Sequence, residues 1–197
     1  MKNLLFVTFL QLLFLSGIDA QSSKTQKILE SVGEYNIDDN GYVVIDRIII
    51  ADSVSKDELF RRALEYFAYN YGDGKSVIQI SDKEAGKIVG KGLYVRTART
   101  NGIVINDVDT WHILKIEVKD GKARITISIT EHSLLVTDMN GLISGPYKSL
   151  VTERYPFVEK GEDKNAYGQA FAEAYKRSVL SMDELEKSLK KSSDSNW

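Results

Sequence analysis

Two histidines, His112 and His132, carry all the imidazole chemistry open to this chain, and the absence of cysteine excludes thiol nucleophiles, thiolate metal clusters and disulfides. A shared metal ion would need both rings on one surface, and a general base would need one ring oriented by a carboxylate. Strand parity tests both. "TWHILKIEVK" (110–119) and "KARITISITEH" (122–132) alternate apolar and polar residues on either side of Asp120-Gly121, a signal for a two-residue type I′ turn. That turn pairs Val118 with Ala123, Ile116 with Ile125, Leu114 with Ile127 and His112 with Ile129 on an apolar face. Glu117 with Arg124, Lys115 with Thr126, Ile113 with Ser128 and Trp111 with Thr130 form the wetter face. Continued outward, the register puts His112 on the core face and His132 on the other, so no histidine metal site is expected. It also sets Asp109 opposite His132, a candidate acid–base pair, although no nucleophile or oxyanion donor stands beside it.

Carboxylates offer a second chemistry. Asp82, Glu84, Asp107, Asp109, Glu162 and Asp163 all lie in predicted turns, where solvation and turn hydrogen bonds are the ordinary role. Glycosidase chemistry would need two of them at a fixed separation across a cleft. "NDVDTW" and "DDNG" lack the full calcium-loop pattern. The stretch "SDKEAGKIVGKGLYV" (81–95) has the composition of a phosphate cradle but not its spacing: three residues separate Gly86 from Gly90, Gly92 stands where Ser or Thr is needed, and no helix follows. As a strand, it puts Gly86, Gly90, Gly92, Ile88 and Tyr94 on one face, a trough that either receives a helix or holds a ligand. Trp111 and Ile113, on the wet face, are the other candidates for a binding surface.

The elements around these residues follow from periodicity. "YVVIDRIII" (42–50), β-branched on both faces, predicts a strand that is central or covered on each side. "SKDELFRRALEYFAYNYGDG" predicts a helix capped by Ser55 and Glu58, with Leu59, Phe60, Ala63, Leu64, Phe67 and Tyr71 recurring at helical spacing and Gly72 and Gly74 stopping it. "SVIQIS" and "GKIVGKGLYVRT" read as a hairpin. Around "SLLVTDMNGLISG" a further strand or hairpin precedes a loop through Pro146 and Pro156. A long helix runs from Asn165 through Tyr167, Phe171, Ala174, Tyr175, Ser178, Met182, Leu185 and Leu189, with a capping pattern at Ser181 and Glu184 that predicts a break. The resulting fold class is α+β, a curved antiparallel sheet with helices packed on one face in the order β-α-β-β-β-β-α.

"VSKDELFRRALEYF" (54–67) and "VIQISDKEAGKIVGKG" (77–92) resemble a family of secreted proteins, common in Bacteroidetes, classed as a domain of unknown function with a TATA-binding-protein-like fold. The resemblance covers about half of the chain and implies the same order of elements. It implies no activity and no catalytic residues. The fold name does not imply DNA binding, because a scaffold does not fix a function.

Residues 1–20 read as a secretory signal: Lys2, an apolar run from Leu4 to Leu15, and "SGIDA" with cleavage expected after Ala20. A polar lead-in over 21–40, a single domain over 41–191 and a frayed tail over 192–197 complete the expected organisation. No later apolar run is long enough to span a bilayer, and no cysteine follows the signal for lipid attachment, so the expected location is periplasmic or extracellular. A formal charge of −2 argues against a duplex nucleic-acid partner, which needs a concentrated basic face. The function that fits is a non-catalytic binding module for a protein, peptide or small ligand, with no cofactor. The alternatives are a carboxylate-dependent hydrolase of glycan or peptide, marked by two carboxylates in one pocket, and a structural part of an envelope assembly.

Overall fold

The computed structural model describes residues 24–71, 77–161 and 163–191. The expected signal segment, the glycine stop at Gly72 and Gly74, Glu162 and the expected frayed tail lie outside these residues. Among the described residues seven strands form one antiparallel sheet: β1 (Asn36–Ile37), β2 (Val43–Ile50), β3 (Ile78–Asp82), β4 (Lys87–Asn101), β5 (Ile105–Lys119), β6 (Lys122–Thr137) and β7 (Ile143–Leu150). Their order across the sheet is β1-β2-β6-β5-β4-β3, with β7 also pairing with β6. Two long helices, α1 (Lys56–Asn70) and α2 (Lys164–Lys190), pack on one face. The expected order holds, with β1 and β7 added.

The alternation of apolar residues dictates this arrangement. Val43, Ile45, Ile49, Ile88, Leu114, Ile116, Ile125 and Ile127 project from one side of the sheet and meet Leu59 and Phe67 of α1 and Phe171, Met182, Leu185 and Leu189 of α2. Each large aliphatic side chain removed from water contributes roughly 1.5–3 kcal/mol. Ser55 caps α1 as its spacing predicts, its hydroxyl accepting the Glu58 N–H at 3.3 Å. The buried Arg62 crosses to α2 and donates to the Leu189 carbonyl at 2.7 Å, satisfying a group that the last turn leaves unpaired. Helix α2 does not break at Ser181. The buried series Ser178, Met182, Leu185 and Leu189 continues at helical spacing across that point, so packing overrides the local capping pattern.

The segment expected to be a polar lead-in is helical over residues 24–29 and docked, with Thr25 buried and Leu29 and Val32 against the core. Strand β2 lies between β1 and β6, but only its inward face is covered: Ile48 and Ile50 are 59% and 53% exposed.

The β5–β6 register agrees with the turn prediction from Lys119↔Lys122 to His112↔Ile129. The turn itself differs, because only Gly121 has positive φ and a type I′ turn needs it at both central residues. The turn is instead held by the start of α1 and the loop before it, the Asp120 carboxylate accepting the Lys56 N–H at 2.7 Å while Gly121 N–H donates to Val54 O.

Candidate functional site

Beyond His112 the register slips. Thr110 faces His132, so Thr130 and Glu131 together oppose Trp111 in a β-bulge. The bulge falls where β6 exchanges partners, pairing with β2 up to Ile129 and with β7 from Glu131. One extra residue reverses parity, so His132 lies on the core face beside Thr110 and His112, not on the wet face. The expected opposition of Asp109 and His132 is therefore corrected: Asp109 faces Ser133, and its carboxylate accepts the Arg96 N–H at 2.6 Å.

Both rings are buried, each with one nitrogen beside a hydroxyl and the other, His112 Nδ1 or His132 Nε2, without a partner among the described residues. His112 Nε2 lies 3.0 Å from the Tyr71 hydroxyl, and its ring stacks on Tyr94 with centroids 3.9 Å apart. His132 Nδ1 lies 2.9 Å from the Thr110 hydroxyl, which is also 2.8 Å from that of Thr97. Burial pushes His112 down to about 4 and, with the Arg154 guanidinium adding to it, His132 down to about 3, so both are neutral near neutral pH. Sharing a face does not make them a metal site. Among the described residues no three His, Cys, Asp or Glu side chains cluster to hold an ion.

The glycine trough is occupied from within. A β-carbon on Gly90 would collide with the Phe67 ring, and one on Gly92 would meet His112 Cε1 at 2.6 Å and Tyr71 Cε1 at 2.7 Å. Gly86 has φ +66°, and a side chain there would strike Val118 O at 2.5 Å. The missing side chains let α1 press its Phe67 and Tyr71 onto β4, and Tyr94 is drawn into the same stack. Gly90, Gly92 and Tyr94 thus pack against α1 and the residue that follows it, and Gly86 packs against the β5 backbone.

Asp107 and Asp109 lie in β5 and not in turns, and four of the five described carboxylate candidates, all but Glu84, are engaged by neighbouring groups. Asp82 accepts the Ala85 N–H, Asp107 pairs with Arg99 at 3.0 Å and Arg96 at 3.5 Å, and Asp163 accepts from the Asn106 amide at 2.7 Å. Glu34 and Asp46 line one groove of about 500 Å³ beside β1, where the Asp46 carboxylate is engaged by the Thr126 hydroxyl at 2.6 Å. Glu117 faces Arg124 across the strands as expected, but its ion pair is with Lys115.

Trp111 and Ile113 remain accessible, on the outer face of the sheet. Leu93 pairs with Trp111 and Lys91 with Ile113 across β4 and β5, and the Lys91 ammonium sits 4.9 Å from the centre of the Trp111 ring. The outward positions Ile48, Ile50, Ile80, Leu93 and Val95 are exposed, and both long helices lie on the other side. A half-buried indole held under an ammonium, among aliphatic side chains on a rigid sheet, is preorganised to bury apolar area against another surface.

A second surface escaped sequence reasoning. A groove of about 1000 Å³ runs between α2, the helical segment over 24–29 and β4, and Lys27, Arg96, Arg99, Lys176 and Arg177 line it. Strand β4 bulges there, with residues 95–97 opposite Asp109 alone, and Arg96 takes a left-handed backbone with φ +49°. These residues come from three distant segments, so no local spacing reveals them.

Residues 46–132 match the model of a family described as "Domain of unknown function (DUF4468) with TBP-like fold". Among solved structures, a TBP-like protein from Parabacteroides distasonis is similar at TM-score 0.53 and 12% identity, with 80% of this chain and 97% of that one covered. A DUF4468 family protein from Bacteroides ovatus is similar at TM-score 0.47 and 12% identity, covering 84% and 94%. No curated protein matches.

Proposed function

We propose that this chain, which carries the DUF4468 domain of TBP-like fold over residues 46–132, is a non-catalytic binding module that receives a protein partner on the open face of its sheet. The observation that carries this reading is the Trp111 surface. Its indole is fixed by Lys91 and flanked by Leu93 and Ile113 on a face that neither long helix covers. Large rigid aromatics at the centre of a flat surface contribute most per residue to protein–protein affinity. The signal-like sequence over 1–20 supports a site of action outside the cytoplasm.

A photo-reactive amino acid at Ile113, compared in living cells with one at exposed Lys191 at the end of α2, tests this. The reading expects one discrete adduct from position 113 and none from 191. Adducts of the same protein from both positions, or only from 191, would refute it.

A further inference from the structure

We infer that the groove between α2 and the β4 bulge is a second binding site, and that its ligand is an acidic peptide segment of another protein. The chain as a whole carries a formal charge of −2, yet among the described residues five cations and a single carboxylate, Glu173, line this groove. Glu173 is committed to Arg177, whose Nε donates to it at 2.9 Å while its Nη1 donates to Val95 O at 2.8 Å. Arg96 and Arg99 share one aspartate, Asp107. Lys27 and Lys176 have no carboxylate partner among the described residues and stand on opposite walls, one on the helical segment over 24–29 and the other on α2. The inverted local charge favours an anion there.

The geometry of the bulge points the same way. The two extra residues in β4 turn Arg96 toward the groove in a left-handed backbone conformation that non-glycine residues seldom adopt. The Arg96 N–H is held by Asp109 and the Val95 carbonyl by Arg177, so the strained segment is clamped between strand and helix.

The chemistry of the lining selects the ligand class. The cations are spread over three elements, which suits several separated anionic groups better than one phosphate. Ile28, Ala98, Ala172 and Leu180 line the same groove and suit aliphatic side chains. A glycan would call for aromatic platforms, and the groove has one tyrosine, Tyr175, whose hydroxyl is donated to Glu34 O at 3.3 Å. A nucleic acid would need a denser run of free cations. A peptide of carboxylates interspersed with aliphatic residues satisfies both features.

The test is fluorescence anisotropy of the full mature chain with a labelled peptide of glutamates interspersed with leucines, beside its glutamine counterpart. The glutamate peptide is expected to bind and weaken with salt, and the glutamine peptide to bind at least about tenfold more weakly. Reversing both free lysines, Lys27→Glu with Lys176→Glu, should cost about tenfold in affinity without altering the circular dichroism spectrum. Trp111→Ala should leave this binding unchanged, which separates the site from the sheet face. Equal binding of the two peptides, no effect of the double reversal, or tighter binding of a sulfated oligosaccharide or a duplex oligonucleotide would overturn the inference.

Discussion

Gly90 shows how one missing side chain decides what a surface does. Its place in an alternating strand made the bare stripe legible, but not what fills it, because Phe67 comes from a helix whose docking the strand's own sequence does not encode. Gly90→Ala should destabilise the fold by about 1–3 kcal/mol through overpacking, and Phe67→Leu in the same chain should recover part of that loss in urea denaturation. If Gly90→Ala were neutral, the packing account of the trough would be wrong.

The two histidines give a second prediction at this scale. Unfolded imidazoles titrate near pH 6.5, whereas the folded rings of His112 and His132 are held neutral until about 4 and 3. Between those values the unfolded state binds more protons. Stability is therefore fully present above about pH 6.5 and falls as the pH drops, by on the order of 2 kcal/mol per ring between pH 6.5 and 5. Urea midpoints measured at both pH values check this, and a flat profile would contradict it.

Elements were legible where local chemistry and packing agree. The Asp120-Gly121 turn and the strict alternation around it gave the register of β5 with β6 over most of its length. The bulge at Thr130 and Glu131 was not legible, since it lies where β6 leaves β2 for β7, a choice made by strands far apart in sequence. Missing that one residue misplaced His132 and paired Asp109 with the wrong partner. Helix α2 repeats the lesson: Ser181 has the spacing of a cap, but the buried stripe runs through it. Ser55→Ala should cost about 1 kcal/mol because Ser55 is a true cap. Glu184→Ala, at the exposed half of the Ser181–Glu184 pattern, should change stability by no more than about 0.5 kcal/mol. Thermal denaturation of the two variants separates a working cap from a sequence coincidence.

At the scale of the whole molecule, the sheet divides its labour. One face is filled by two helices, two histidines and the packed glycine trough, and the other presents Trp111 with its ammonium and aliphatic neighbours. Trp111 was legible as a surface residue from parity alone, whereas the basic groove was not, because only folding brings Lys27, Arg96 and Lys176 together. If the segment over 1–20 is an export signal, mass spectrometry of the protein recovered from the envelope or medium should find a chain beginning at Gln21. An intact Met1 would contradict that.

The open sheet face is the centre of the account, and affinity tests it most directly. The partner captured through position 113, purified and titrated against the wild-type chain and against Trp111→Ala, should bind the variant at least about tenfold more weakly with folding stability unchanged. Equal affinity for the two chains would show that this face is not where the protein binds.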